Sequence, residues 1–150
     1  VIDAAMLSVP ENILARQKGF NELAFSADFI EFPQHGFGTS TRKIKQNPEE
    51  VQRIVHATLR GLMFVSDKKN KDASLDIIMK NWGVRSRAMA SEMYDYMVKA
   101  MLRDGSINMN GLQALVDQQR ESSKVAEPVN SAQVIDYSFV EKARKDLGAE

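Results

Sequence analysis

The sequence predicts an α/β chain, rich in helix, with few strands and a sheet left incomplete within these residues. Three observations carry that expectation. The opening run Val1-Ile2-Asp3-Ala4-Ala5-Met6-Leu7 is nearly continuous and apolar, the pattern of a buried parallel strand. Beyond about residue 40 the apolar positions change to the three-and-four spacing of amphipathic helices. Only Leu23-Ala24-Phe25 and Phe29-Ile30-Glu31-Phe32 offer further strands, too few for a parallel sheet with neighbours on both sides.

A helix is expected directly after the first run. Ser8 can cap it, Pro10 suits its first turn, Ile13 and Leu14 give it an apolar edge, and Gly19 ends it in the left-handed conformation. Pro33-Gln34-His35-Gly36-Phe37-Gly38 breaks any regular element, so a chain reversal or crossing belongs there. Asn47-Pro48-Glu49-Glu50 then reads as a helix start, with a cap, a proline at the first helical position and a carboxylate to close a capping box. Val51, Ile54, Val55, Leu59, Leu62 and Met63 share one face behind it. Leu75, Ile78, Met79 and Trp82 form a second stripe ended by Gly83. Met89, Met93, Tyr96, Met97, Ala100 and Met101 form a third, ended near Asp104-Gly105. A fourth helix, capped by Asn110, carries Leu112, Leu115, Val116 and Gln119 until Glu127-Pro128. A last one carries Phe139, Val140, Ala143 and Leu147, with Gly148 past its end.

Composition narrows function mainly by exclusion. A chain of 150 residues, 43% hydrophobic and 27% charged, is ample for a globular core. Its 20 basic and 20 acidic side chains cancel, so no global field draws in nucleic acid or an anionic membrane. With no cysteine there are no disulfides and no thiolate metal sites. No apolar run approaches the roughly 18 to 20 residues that span a bilayer, so membrane insertion is not expected. Val1 opens the chain on what reads as a strand in progress, and the natural start is expected upstream.

The run Asp3-Ala4-Ala5-Met6-Leu7-Ser8-Val9-Pro10, followed by Ala15, Lys18-Gly19-Phe20 and Leu23, resembles a segment of the periplasmic binding proteins of the nitrate, sulfonate and taurine type. Binders of thiamine-precursor pyrimidines and of riboflavin belong to the same group. Phe37-Gly38-Thr39-Ser40 and Asn47-Pro48-Glu49-Glu50-Val51, with Ala57 and Gly61-Leu62, resemble its return strand and following long helix. Asp104-Gly105, Gly111-Leu112 and Val134-Ile135-Asp136-Tyr137-Ser138 extend the similarity to the end. No single motif is sharp; the ordered set carries the resemblance. It implies the carboxyl-terminal half of a two-lobed, periplasmic-binding-protein-like fold, with a ligand enclosed between α/β lobes. Residues 1–32 would end the second lobe, 33–40 form the inter-lobe crossing, and 41–150 the helical carboxyl-terminal part of the first lobe. It further implies a solute-binding component of an ABC importer, working outside the cytoplasm with a permease as partner, without a cofactor and without catalysis.

Within that plan the strand-to-helix turn Leu7-Ser8-Val9-Pro10-Glu11-Asn12 is the expected ligand seat, because ligands of open α/β sheets lie beyond the carboxyl ends of strands. Ser8 offers a hydroxyl there and Asn12 an amide, unless Ser8 only caps the helix and Asn12 faces water. Glu11 facing the cleft would repel a nitrate or sulfonate and favour a neutral or cationic molecule such as a nitrogen heterocycle; facing solvent, it decides nothing. Phe32, His35 and Phe37 are the candidates to line the cleft at the crossing, the rings by stacking, although such phenylalanines more often lie in a core.

No catalytic set emerges: there is no thiol, the two histidines sit on different elements, and no serine stands in a nucleophile elbow. His35 with Glu31 is too sparse to predict a metal site. The methionine stripe reads as core rather than as a ligand set. Two rivals to solute binding stand beside it: a pyrimidine-synthesising enzyme on the same fold, and a truncated helical module that self-associates without ligand. With so few strands, the chain is expected to expose sheet edges and to pair or swap with a second copy.

Overall fold

The computed structural model describes residues 2–29, 33 and 35–149, and among them the regular structure is helical throughout. Seven α-helices follow in order: α1 (Glu11–Gln17), α2 (Thr41–Gln46), α3 (Pro48–Ser66), α4 (Lys71–Trp82), α5 (Arg87–Ala100), α6 (Met109–Ser122) and α7 (Ser138–Leu147). Single 3-10 turns lie at Ser26–Asp28, Lys68–Asn70 and Ser131–Gln133.

The expected α/β class is therefore corrected: the described residues contain no strand and no sheet. A strand persists only where a neighbour pairs its backbone, and no strand among the described residues pairs the opening segment. Ile2, Met6 and Leu7 are instead 79%, 93% and 51% exposed. Leu23-Ala24-Phe25 runs into the 3-10 turn that follows, where the Asp28 amide donates to the Phe25 carbonyl at 3.0 Å. Of the remaining strand candidate, residues 30–32 lie outside the described residues, and Phe29 sits in a turn.

The chain divides into two compact units. The first gathers Val1–Phe29 and Val65–Met101. Its core is Ile13 of α1, Leu75 and Ile78 of α4, and Ala90, Met93 and Tyr94 of α5, all buried, with Val9, Val65, Met79, Met89, Tyr96 and Met97 packed around them. Leu75 and Ile78 of the α4 stripe and Met93 of the α5 stripe are buried, each such side chain contributing about 1.5–3 kcal/mol, whereas Trp82 at the end of α4 is 53% exposed and Ala100 at the end of α5 is exposed too. The Tyr94 hydroxyl, taken inside with its ring, donates to the Val65 carbonyl at 2.8 Å. At the surface, Arg87 bridges α4 and α5, donating to Asp76 and Asp72 at 2.7 Å each, and those bonds hold its guanidinium protonated above its usual range.

The second unit gathers Ile30–Phe64 and Leu102–Glu150. Leu59 of α3 and Ala143 of α7 are buried in it. Gly105 takes φ +66°, and a Cβ there would lie 3.3 Å from Leu59 Cδ1 and 3.5 Å from Val140 Cγ1, so both conformation and space call for glycine. The Tyr137 hydroxyl donates to the Gly105 carbonyl at 2.6 Å, and burial foremost raises its phenol above the ordinary tyrosine range. Gln113 accepts from the Ser131 amide at 2.8 Å and donates to the Val129 carbonyl at 2.9 Å, fastening the 130s loop to α6.

Helix starts differ in detail from the sequence reading. Glu50 receives the Lys43 ammonium at 2.5 Å in place of a capping box, and that bond holds its carboxyl below the usual range. The cap of α6 is Asn108 rather than Asn110: its side chain accepts from the Asn110 and Gly111 amides at 3.0 and 3.1 Å. The same helix stops at Ser122, before the Glu127-Pro128 break. An additional short helix, α2, precedes α3 and is capped by Ser40, which accepts from the Lys43 amide at 3.1 Å. No helix among the described residues is long and apolar enough to cross a membrane.

Candidate functional site

The expected ligand seat lies at the start of α1. Ser8 is exposed and serves the helix through its backbone, its carbonyl accepting from the Asn12 amide at 3.0 Å, while no side-chain cap bond forms. Glu11 is exposed in the first turn, so it offers no argument about the ligand's charge. Asn12 is half-buried, and its Oδ1 is enclosed without a hydrogen-bond partner among the described residues. His35 and Phe37 are exposed in an irregular segment of the other unit, Phe37 by 73%. Phe32 lies outside the described residues. Ser8, Glu11 and Asn12 thus come together in one turn, and His35 and Phe37 belong to the other unit.

The first unit also holds an open concavity. The segment Glu22–Phe29 lies against one face of α5 and leaves an open groove of about 470 Å³. Glu92, Asp95, Tyr96 and Lys99 line it from α5; Glu22, Phe25, Asp28 and Phe29 line it from the facing segment. Their α5 spacing of i, i+3, i+4 and i+7 puts all four on one stripe, adjacent to the methionines that face the core. The ring of Phe25 meets Tyr96 edge-on, with centroids 5.1 Å apart and planes at 74°, the favoured electrostatic arrangement of two rings.

Charge in the groove is predominantly acidic. Four carboxylates line it against one ammonium. Three of the four are countered: Glu92 pairs with Arg16 of α1, Asp95 with Lys71 at 2.7 Å, and Asp28 with Lys99 at 2.5 Å. Glu22 is held differently, accepting from the Tyr96 hydroxyl at 2.7 Å, and no described lysine or arginine forms an ion pair with it. That bond is the main reason the Tyr96 phenol is pushed above its ordinary range, since ionising the phenol would set two anions together. Arg16 also donates to the Tyr96 oxygen at 3.3 Å, so α1 reaches the groove four residues beyond Asn12.

Sequence reading placed Phe25 in a strand and Tyr96 in a core stripe, and gave the groove carboxylates no role. The signal that locates them is the second, polar stripe on α5: Glu92, Asp95, Tyr96 and Lys99 repeat at helical spacing beside the methionines. No group of three or more histidine, aspartate or glutamate side chains able to hold a metal is found among the described residues. Chemically, the groove offers ring faces and edges, a hydroxyl and carboxylates on separate elements, a set suited to recognising a planar molecule that carries nitrogen donors or positive charge. Comparison with protein families, curated proteins and solved structures finds no match to this chain.

Proposed function

We propose that this chain belongs to a solute-binding component of an ABC importer and takes part in reversible capture of a small, planar, nitrogen-bearing organic molecule, held in the groove over α5. The observation that carries this reading is the meeting of Phe25, Tyr96 and a Glu22 carboxylate that no described lysine or arginine pairs with, at one open concavity. The ordered sequence resemblance supplies the transport setting, the permease as partner and the location outside the cytoplasm.

Electrostatics chooses between the ligand classes. A unit charge about 4 Å from a carboxylate interacts by about 4 kcal/mol at an effective dielectric of about 20, and salt reduces this in an open groove. An oxyanion meets that interaction as repulsion at Glu22, whereas a protonated or N-alkylated heterocycle meets it as attraction. A neutral aminopyrimidine gains less from charge but can donate its amino hydrogens to a carboxylate and present its face to the rings. The contacts of Phe25 with Tyr96, and of Tyr96 with Glu22, support this reading by holding a ring, a hydroxyl and a carboxylate together in the groove.

The test is a calorimetric titration of the purified chain with a neutral aminopyrimidine, its N-methylated cation, nitrate and taurine, with thermal melts in parallel. The heterocycles should bind saturably. At a free concentration about one hundred times Kd the stabilisation is about 2.7 kcal/mol, a rise of roughly 5 to 10 °C for a domain of this size. Saturable oxyanion binding, or silence across the whole panel, overturns the reading.

A further inference from the structure

The groove already contains a cation of its own. Lys99, in the last turn of α5, carries its ammonium 5.2 Å from the centroid of the Phe25 ring and 2.5 Å from the Asp28 carboxylate. An ammonium over an aromatic face with a carboxylate beside it is the environment that a cationic ligand nitrogen would seek. We propose that Lys99 is a resident competitor for this subsite: a cationic ligand displaces its ammonium from Phe25 and Asp28, and the lysine thereby sets how strongly the groove favours cationic over neutral heterocycles. This rests on the binding function proposed above and specifies its selectivity.

The arrangement differs from the other lysine–ring contact in the same unit. Lys71 lies 5.1 Å from the Tyr94 centroid and pairs with Asp95, but Tyr94 is only 3% exposed and its hydroxyl is committed to the Val65 carbonyl. That contact covers a core residue and leaves no seat for a ligand. Phe25 is only half-buried, lines the groove, and meets the Tyr96 ring edge-on. The Lys99 side chain is 54% exposed on a flexible stem, so its ammonium can return to water at small cost, since exposed ion pairs and exposed cation–π contacts are both weak. With Lys99 gone, the carboxylate of Asp28 also joins Glu22 as an uncompensated charge facing the ligand.

Lys99→Met keeps the length of the stem and removes the charge; Lys99→Arg keeps the charge. The probes are an N-methylated aminopyrimidinium and the neutral aminopyrimidine, titrated by calorimetry into the wild-type chain and both variants, with circular dichroism confirming the fold. In Lys99→Met the affinity for the cation should rise about tenfold, the combined strength of one exposed ion pair and one exposed cation–π contact. Affinity for the neutral probe should change less than about twofold, and Lys99→Arg should bind the cation as wild type does. An unchanged or weakened cation affinity in Lys99→Met, with wild type binding either probe, overturns the role of Lys99 and leaves the binding function standing. No binding of either probe by any of the three proteins overturns both.

Discussion

Ile13 ties α1 to the first unit, and removing its side chain should loosen both the core and the groove. Ile13 has no exposed surface and packs among Leu75, Ile78, Ala90, Met93 and Tyr94. Ile13→Ala removes three carbons; at about 0.8 kcal/mol per buried carbon the transfer loss is about 2.4 kcal/mol. The cavity left behind adds to this within the range of roughly 2–5 kcal/mol found for such truncations. For a urea dependence of about 1.5 kcal/mol per molar, the lower figure moves the unfolding midpoint down by about 1.6 M. The chain's one tryptophan, Trp82, ends α4 in the same unit and reports the transition by fluorescence, while circular dichroism follows both units. Ile13→Val is the graded control, expected to cost about 0.5–1.5 kcal/mol. Because Arg16 lies one turn on and contacts Glu92 and Tyr96, ligand affinity in the groove should fall with the midpoint. A midpoint for Ile13→Ala within about 0.3 M of wild type, at unchanged slope, refutes the placement of Ile13 in the core.

The second unit allows two tests, which bear on the same turn because Tyr137 bonds the Gly105 carbonyl. Gly105→Ala forces a Cβ into left-handed backbone and against Leu59 Cδ1, and should destabilise by about 1–3 kcal/mol in denaturant melts. Tyr137→Phe removes the bond to the Gly105 carbonyl, a loss of about 1 kcal/mol near neutral pH. The pH dependence has a definite sign: the folded phenol titrates above its unfolded value of about 10, so its contribution is complete below that value and is lost as pH rises through the folded one. Thermal melts between pH 9 and about 11.5 should therefore fall less steeply for Tyr137→Phe than for wild type. In the first unit, Arg87→Ala should lower the melting temperature slightly in low salt, and about 1 M sodium chloride, with a screening length of about 3 Å, should erase most of that difference because both its pairs are exposed.

The helices were legible because their signals are local and mutually consistent. Leu75, Ile78 and Trp82 recur at the helical period and Gly83 closes them; Met89, Met93 and Met97 do the same for α5, and the burial of Leu75, Ile78 and Met93 follows. Cap positions slipped by a residue or two because neighbouring polar residues compete. Asn108 and Asn110 both have the chemistry of a cap, and the choice falls to whichever faces free amides when the helix begins. Strands failed for the opposite reason. An apolar run such as Ile2 to Leu7 states what the segment would bury, but pairing depends on a neighbour far along the chain, and the described residues supply none.

The candidate site was harder to read for a related reason. Ser8, Glu11 and Asn12 are visible in sequence because they surround a helix start, yet that prominence comes from the helix's own needs: the Ser8 carbonyl receives the Asn12 amide, and Glu11 stands in water. The groove depends instead on two segments about 70 residues apart, Glu22–Phe29 and Glu92–Lys99. Neither segment alone names a site. The α5 stripe of Glu92, Asp95, Tyr96 and Lys99 reads as an ordinary solvated face until Phe25 and Asp28 lie against it, when the same lysine becomes an ammonium over a ring. What distinguishes a binding face from a merely polar one is therefore whether its charges are all spent on neighbours. Here Glu22 is left with a phenol as its only described hydrogen-bond donor, while Glu92, Asp95 and Asp28 are paired with Arg16, Lys71 and Lys99.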